Sequence, residues 1–285
     1  MYTIEDEEIP ALLRELPDAP KKLYVRGVLL RGTDRRFLTV VGARRHSAYG
    51  REACETLIAG LAGYPVVIVS GLALGIDGLA HRAALHAGLT TVAFPGSGLS
   101  EKVLYPSTHR ALARAILASG GALISEFEPD FKPTAWSFHQ RNRLMAGISH
   151  ATLVIEAEER SGTLITAKLA LEYNRDVFAV PGPIFSPTGS GPNLLLRLGA
   201  TPIRSNSDIL EALGLAAAPG LALRHTDTSN CSARELHILE LLKTPLERDS
   251  LIRTLGTSVS ETNTLIATLE LKGLIVERMG AIYRT

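Results

Sequence analysis

The residues best equipped for chemistry lie between Trp136 and Lys168, WSFHQRNRLMAGISHATLVIEAEERSGTLITAK. Arg141, Asn142 and Arg143 come first, an apolar run follows, and Ser161, Gly162 and Thr163 form a small-residue turn before a helix-compatible stretch. A helix begins with N–H groups that no carbonyl of its own can satisfy, so such a turn favours anions. Guanidinium groups upstream can close over the same anion with planar, two-pronged hydrogen bonds. The theme occurs earlier as well: Gly42 and Arg44 follow the apolar run Phe37–Val41, and Ser70-Gly71 closes Val66–Val69. Phe138 and Trp136, beside the arginines, read either as core aromatics or as surfaces on which a base can stack.

Few residues suggest bond-making chemistry. His46, His81 and His139 share no spacing with acids or cysteines that would hold a metal, and they read as packing or capping residues. Asp77 stands where a helix N-cap is wanted. Neither a catalytic group, a cofactor nor a metal is expected. Cys54 and Cys231 are too far apart in sequence to suggest a disulfide framework. The N-terminus, MYTIEDEEIP, is acidic and unlike a signal peptide, and no apolar run reaches transmembrane length. The expectation is a cytoplasmic protein with no membrane segment.

Several elements must position these residues. Apolar runs at Phe37–Val41, Val66–Val69, Thr90–Phe94, Ala122–Ile124, Ala151–Ile155 and Val177–Val180 lack alternation, as in strands covered on both faces. Most end in glycine turns that open helices, so the fold class is α/β: a Rossmann-like, doubly wound, mainly parallel sheet. Ligands of such sheets sit beyond the carboxyl edge, where Gly42, Gly71, Gly96, Gly98, Gly162 and Gly182 gather. The expected organisation is a short lead-in over residues 1–36, the sheet domain over 37–213, a Pro/Gly linker over 214–231 and a small domain over 232–285. Three helices and a hairpin around Met279-Gly280 make that last domain a winged helix. Its third helix, SVSETNTLIATLELK, carries Glu261 and Glu270 against Lys272, and only Asn263 is clearly suited to base edges. A protein contact is favoured there over duplex reading. With net charge +1 over 285 residues, any polyanion site must be local.

VGARRHSAYG, SGLALGIDGLAH, TVAFPGSG, LISEFEP, FHQRNRLMAGIS, EERSGTLITAKLALE and VFAVPGP follow in order the motif series of the DprA/Smf family, which the chain resembles from about Lys22 to Ile203. The C-terminal domain resembles the winged helix of many members. This resemblance implies a protein that binds single-stranded DNA, protects incoming strands in natural transformation and loads a RecA-type recombinase, as a homodimer. On this chain it implies contacts from Arg44, Phe138, Arg141, Asn142, Ser161, Gly162, Thr163 and Lys168. Phosphates would also meet backbone amides near Gly42, Ser70, Gly71 and Gly162, and Phe138 would stack a base. Arg143 is the exception, because neighbouring helix residues cannot all face one pocket. Residues 1–36 are too few for the larger N-terminal helical domain of many relatives. The sheet also resembles that of LOG-type phosphoribohydrolases, but Thr166 stands where their catalytic Glu belongs. The enzymatic reading therefore lacks its carboxylate.

Overall fold

The computed structural model describes residues 1–29, 34–215, 231–242, 246–272, 274–278 and 281–284. The chain divides into two compact units, Met1–Ala217 and Ala218–Thr285. Most of the expected linker lies outside the described residues, as does the Met279-Gly280 turn.

The larger unit is built on β3 (Arg36–Val41), β4 (Val66–Ser70), β5 (Thr90–Ala93), β6 (Ala122–Ser125), β7 (Ala151–Val154), β8 (Asp176–Ala179) and β9 (Thr201–Pro202). With β1 (Tyr2–Glu5) and β2 (Lys22–Gly27) they form one nine-stranded sheet in the order β1-β2-β6-β5-β4-β3-β7-β8-β9. Every pairing from β6 to β9 is parallel, and only β1–β2 and β2–β6 are antiparallel. Residues 1–36 are thus not merely a lead-in, since β1 and β2 extend the sheet. β2 falls in KKLYVRGVLL, which reads as a strand from its sequence, whereas β1 is an edge strand that buries only Ile4 and shows no such pattern.

Strand order reverses between β3 and β7: successive strands run outward one way through β4 and β5, and the other way through β7, β8 and β9. That crevice is where ligands of doubly wound sheets bind. Helices cover both faces. In β3, Phe37 and Val41 join one core cluster while Leu38 and Val40 join another, so alternate residues feed opposite layers. The first layer contains α1 (Ala11–Arg14), α5 (Ala135–Ile148), α6 (Gly162–Glu172) and α7 (Ser190–Arg197). The second contains α2 (Ala48–Ala59), α3 (Ile76–His86) and α8 (Asn206–Ala212), and α4 (Arg110–Ala118) packs a third cluster against β5 and β6. Pro192 lies within the first turn of α7, where a missing N–H costs little.

α5 matters most to the site. Leu144, Met145, Ala146 and Ile148 are buried against the sheet, and a fully buried Leu or Met contributes about 1.5–3 kcal/mol. Thr39, in the middle of β3, donates to the Met145 carbonyl at 2.8 Å and meets the Ser149 hydroxyl at 2.7 Å. The start of α5 is fixed by a capping box between Thr134 and Ser137, and the Ser137 hydroxyl also donates to the Gly96 carbonyl at 2.6 Å.

The smaller unit comprises α9 (Ala233–Leu241), β10 (Leu246–Glu247), α10 (Arg248–Leu255), α11 (Val259–Leu271), β11 (Ile275–Arg278) and β12 (Ala281–Arg284). Its sheet order is β10-β12-β11, and one apolar cluster including Ile238, Leu251, Ile266 and Ile282 forms its core. This is a winged helix; besides the three helices and the hairpin read from the sequence it carries the short strand β10, which pairs with β12.

Candidate nucleic-acid interface

The loop after β3, Gly42-Ala43-Arg44, meets the N-terminus of α6 at the strand-order reversal. The Thr163 hydroxyl donates to the Gly42 carbonyl at 3.1 Å and ties the two sides together. Ser161 is the N-cap of α6 and its side chain makes no cap bond; the Leu164 amide turns back to the Ser161 carbonyl, which leaves the Gly162 and Thr163 amides to face the cavity. Among the described residues the buried Ser161 hydroxyl oxygen has no hydrogen-bond partner. These groups and α5 enclose a cavity of about 510 Å³, lined in part by Gly42, Arg44, Phe138, Asn142, Gly162 and Thr163. Arg141, Ser161 and Thr166 also line it.

Arg44 is exposed, with its guanidinium carbon 5.7 Å from the centre of the Phe138 ring. Phe138 in turn packs edge-on against Tyr105 at 5.7 Å. Gly96 lies directly beneath it, since a Cβ there would come within 2.4 Å of the ring. A cation over a half-buried aromatic face, next to open helix amides, can hold a phosphate and a flat base together.

Arg141 is different. It is 6% exposed, and its guanidinium donates to the Gly71 carbonyl at 2.5 Å, to the Phe94 carbonyl and to the Asn142 side chain. Burial lowers its pKa to about 10, with Asp77 pulling the other way, so it stays charged at neutral pH. It lines the cavity, but its bonds brace the ends of β4 and β5. Asp77 is buried opposite; burial raises its pKa, and the Arg141 charge opposes that shift. Its carboxyl accepts from the Gly71 amide at 3.1 Å. The N-cap of α3 is Gly75, so Asp77 secures the preceding loop and not the cap position. In that loop Leu72, wholly buried, has φ +57°, a conformation that bulky side chains adopt only under constraint.

Three expected contacts do not reach the cavity. Ser70 is buried and its hydroxyl donates to the Val40 carbonyl, and the Gly71 amide is taken by Asp77. Both residues support the floor without offering free donors. Lys168 is exposed and pairs with Glu172 at 3.7 Å. The helical period turns it about 200° from Thr166, away from the lining. Arg143 lies off the pocket: it forks onto Glu126 at 2.6 Å and reaches Asp18. His139, read as a packing or capping residue, is an exposed part of the lining. A helical period counted from Phe138 and Asn142 would have placed it there.

The family model described as DNA recombination-mediator protein A matches residues 1–214, and the DprA winged helix domain matches 226–281. The chain is 40% identical to Protein Smf of Escherichia coli (strain K12), across 98% of this chain and 76% of that protein. The X-ray structure of DNA processing protein A from Streptococcus pneumoniae superposes with TM-score 0.68 at 38% identity, covering 74% of this chain and 73% of that one. DNA processing protein A from Helicobacter pylori, whose structure is described as giving a single-stranded DNA binding mode, superposes with TM-score 0.65 at 32% identity, over 74% of this chain and 94% of that one.

Proposed function

The chain belongs to the DNA recombination-mediator protein A family, the DprA/Smf proteins, and we propose that within it this protein binds single-stranded DNA at the carboxyl edge of its sheet. The observation that carries this reading is Arg44, exposed above the Phe138 ring and beside the open amides of α6. Phosphates sit against Arg44, Gly162 and Thr163 while a base lies on Phe138. Binding is largely blind to sequence, because backbone charge and ring faces are common to all nucleotides. In the cell, in this reading the cytoplasm, the protein shields incoming strands during transformation and passes them to a RecA-type recombinase. It works as a homodimer, which joins two weak grooves into one tighter site; the apolar stretch Leu194 to Leu198, with Leu198 exposed just past α7, is one candidate for that contact.

The role is binding and not catalysis. Thr166 fills the place of the phosphoribohydrolase glutamate, and the acid that does line the cavity, Asp77, is engaged with Gly71. The winged helix serves as a protein contact. Its Asn263 accepts from Arg248, Arg248 pairs with Glu277, and Glu261 pairs with Arg234, which consumes the groups that would read a duplex. Residues 232–285 alone are expected to leave duplex DNA unshifted on a native gel, and a shift would favour a duplex regulator.

Fluorescence anisotropy tests the central reading. Labelled single strands are expected to bind in preference to duplex, and to weaken steeply between about 50 and 200 mM salt. Arg44→Ala is expected to cost about 10- to 100-fold, the value of one charged hydrogen-bonded contact. Equal binding to duplex, or full binding by the variant, would sink the assignment.

A further inference from the structure

The α5 segment carries a second aromatic surface that the cavity does not use. Trp136 is 59% exposed, an unusual position for the largest apolar side chain in the molecule. It is also anchored. Its indole packs edge-on against Phe127 at 5.9 Å, and Phe127 stacks on Phe131 at 4.5 Å with the rings 15° apart. The loop that bears those rings is held to the turn after β5: the Gly98 amide donates to the Phe131 carbonyl, the Ser100 amide donates to the Pro129 carbonyl, and a Cβ on Gly98 would lie 2.1 Å from the Glu128 carbonyl oxygen. Gly96 of the same turn lies beneath Phe138. One glycine turn therefore supports two aromatic faces, and Trp136 follows Ala135, which lines the cavity, about a quarter turn round the helix.

Charge permits a nucleic-acid occupant. Two of the three acids on that loop are paired with cations, Glu126 with Arg143 and Asp130 with Lys102, and the third, Glu128, is turned to the Tyr24 hydroxyl. Lys132 is exposed, and among the described residues no acid pairs with it.

We propose that Trp136, on its Phe127–Phe131 base and with exposed Lys132 four residues before it in the chain, is a second stacking subsite that takes a further base of a single strand already held at the Phe138 cavity. This rests on the single-strand reading given above. Every base has a face, so the subsite is indifferent to sequence and adds reach along the strand.

Trp136 is the sole tryptophan, so its emission reports this position in the intact chain. The full-length protein is titrated with unlabelled oligonucleotides of about 4 and about 16 nucleotides, and anisotropy is followed in parallel with labelled ones. The longer strand is expected to quench the tryptophan. Trp136→Ala is expected to weaken the longer strand by about tenfold and leave the shorter one unchanged, with an unaltered thermal midpoint; Trp136→Phe should restore affinity and Lys132→Ala should flatten the salt dependence. Anisotropy that shows binding while emission and Trp136→Ala affinity stay unchanged overturns the subsite and spares the cavity. No binding of either strand overturns both. Emission that responds to protein concentration but not to DNA also overturns it, in favour of a contact between copies.

Discussion

Arg141→Ala is expected to lower the thermal midpoint of the larger unit by about 10 °C or more, and to abolish single-strand binding only as a consequence. The guanidinium holds the carbonyls of Gly71 and Phe94, which end β4 and β5, and it is the cation that faces buried Asp77. Its removal takes a donor from two buried carbonyls and leaves the buried Asp77 carboxyl without its strongest opposing charge, with backbone amides as its main support. Breaking one side of such an arrangement costs about 3–5 kcal/mol, and each kcal/mol moves the midpoint of a domain this size by about 2–4 °C. Arg141→Lys keeps the charge but loses the planar fork that reaches two carbonyls, so it should recover little. Arg44→Ala is the necessary contrast. Arg44 is exposed, and among the described residues its guanidinium packs on the Phe138 ring and acts on Asp77 only as the weakest of the favourable influences, so its midpoint should stay within about 2 °C while its affinity falls. Scanning calorimetry beside anisotropy separates the two roles; an unchanged midpoint in Arg141→Ala would return that residue to the DNA-contacting set.

The contrast between these two arginines marks what the sequence makes legible. Arg44 was readable because it follows a strand that is apolar on both faces and a glycine, and such a position in a doubly wound sheet has few places to point. The same logic located Gly42, Phe138 and the Ser161–Thr163 turn. The helical period separated Arg141 from Arg143 by about 200°, but it left open which of them meets the pocket. That depended on Glu126 and Asp18, which lie 17 and 125 residues from Arg143 along the chain. Ser70 and Gly71 do not show their engagement in the sequence, for a related reason. A backbone amide at a strand end looks free until its acceptor is known, and here the acceptor is Asp77, brought back by the constrained turn at Leu72. The edge of the sheet was the least visible. β1 and β9 are short, β1 pairs along one side, and an edge strand needs no continuous apolar run.

The larger unit is expected to lose stability as pH falls from about 6.5 towards 3, with His81 carrying a separable part of that loss. His81 lies wholly buried on α3, and its Nδ1 meets the Thr91 hydroxyl at 2.7 Å. That hydroxyl already donates to the Ile68 carbonyl, so the proton between them belongs to the imidazole. Nε2 then carries a lone pair, with no partner among the described residues. Burial, with the charges of His109, Arg141 and Arg82, lowers the His81 pKa to about 3. The unfolded chain takes up a proton below about 6.5 and the native state does not, so stability is complete above that pH and falls through the window down to about 3. A shift of this size corresponds to roughly 3–5 kcal/mol by the lower end. His81→Asn offers a donor at the Nδ1 position and does not titrate. It should be less stable than wild type at pH 7, by about 1–2 kcal/mol for the lost packing, yet the difference should close or invert by pH 4. Other acid-labile groups, such as Asp208, titrate alike in both proteins, so the difference in urea unfolding free energy at the two pH values isolates the imidazole. A difference that stays constant with pH would mean that His81 takes up its proton in the native state as readily as in the unfolded chain.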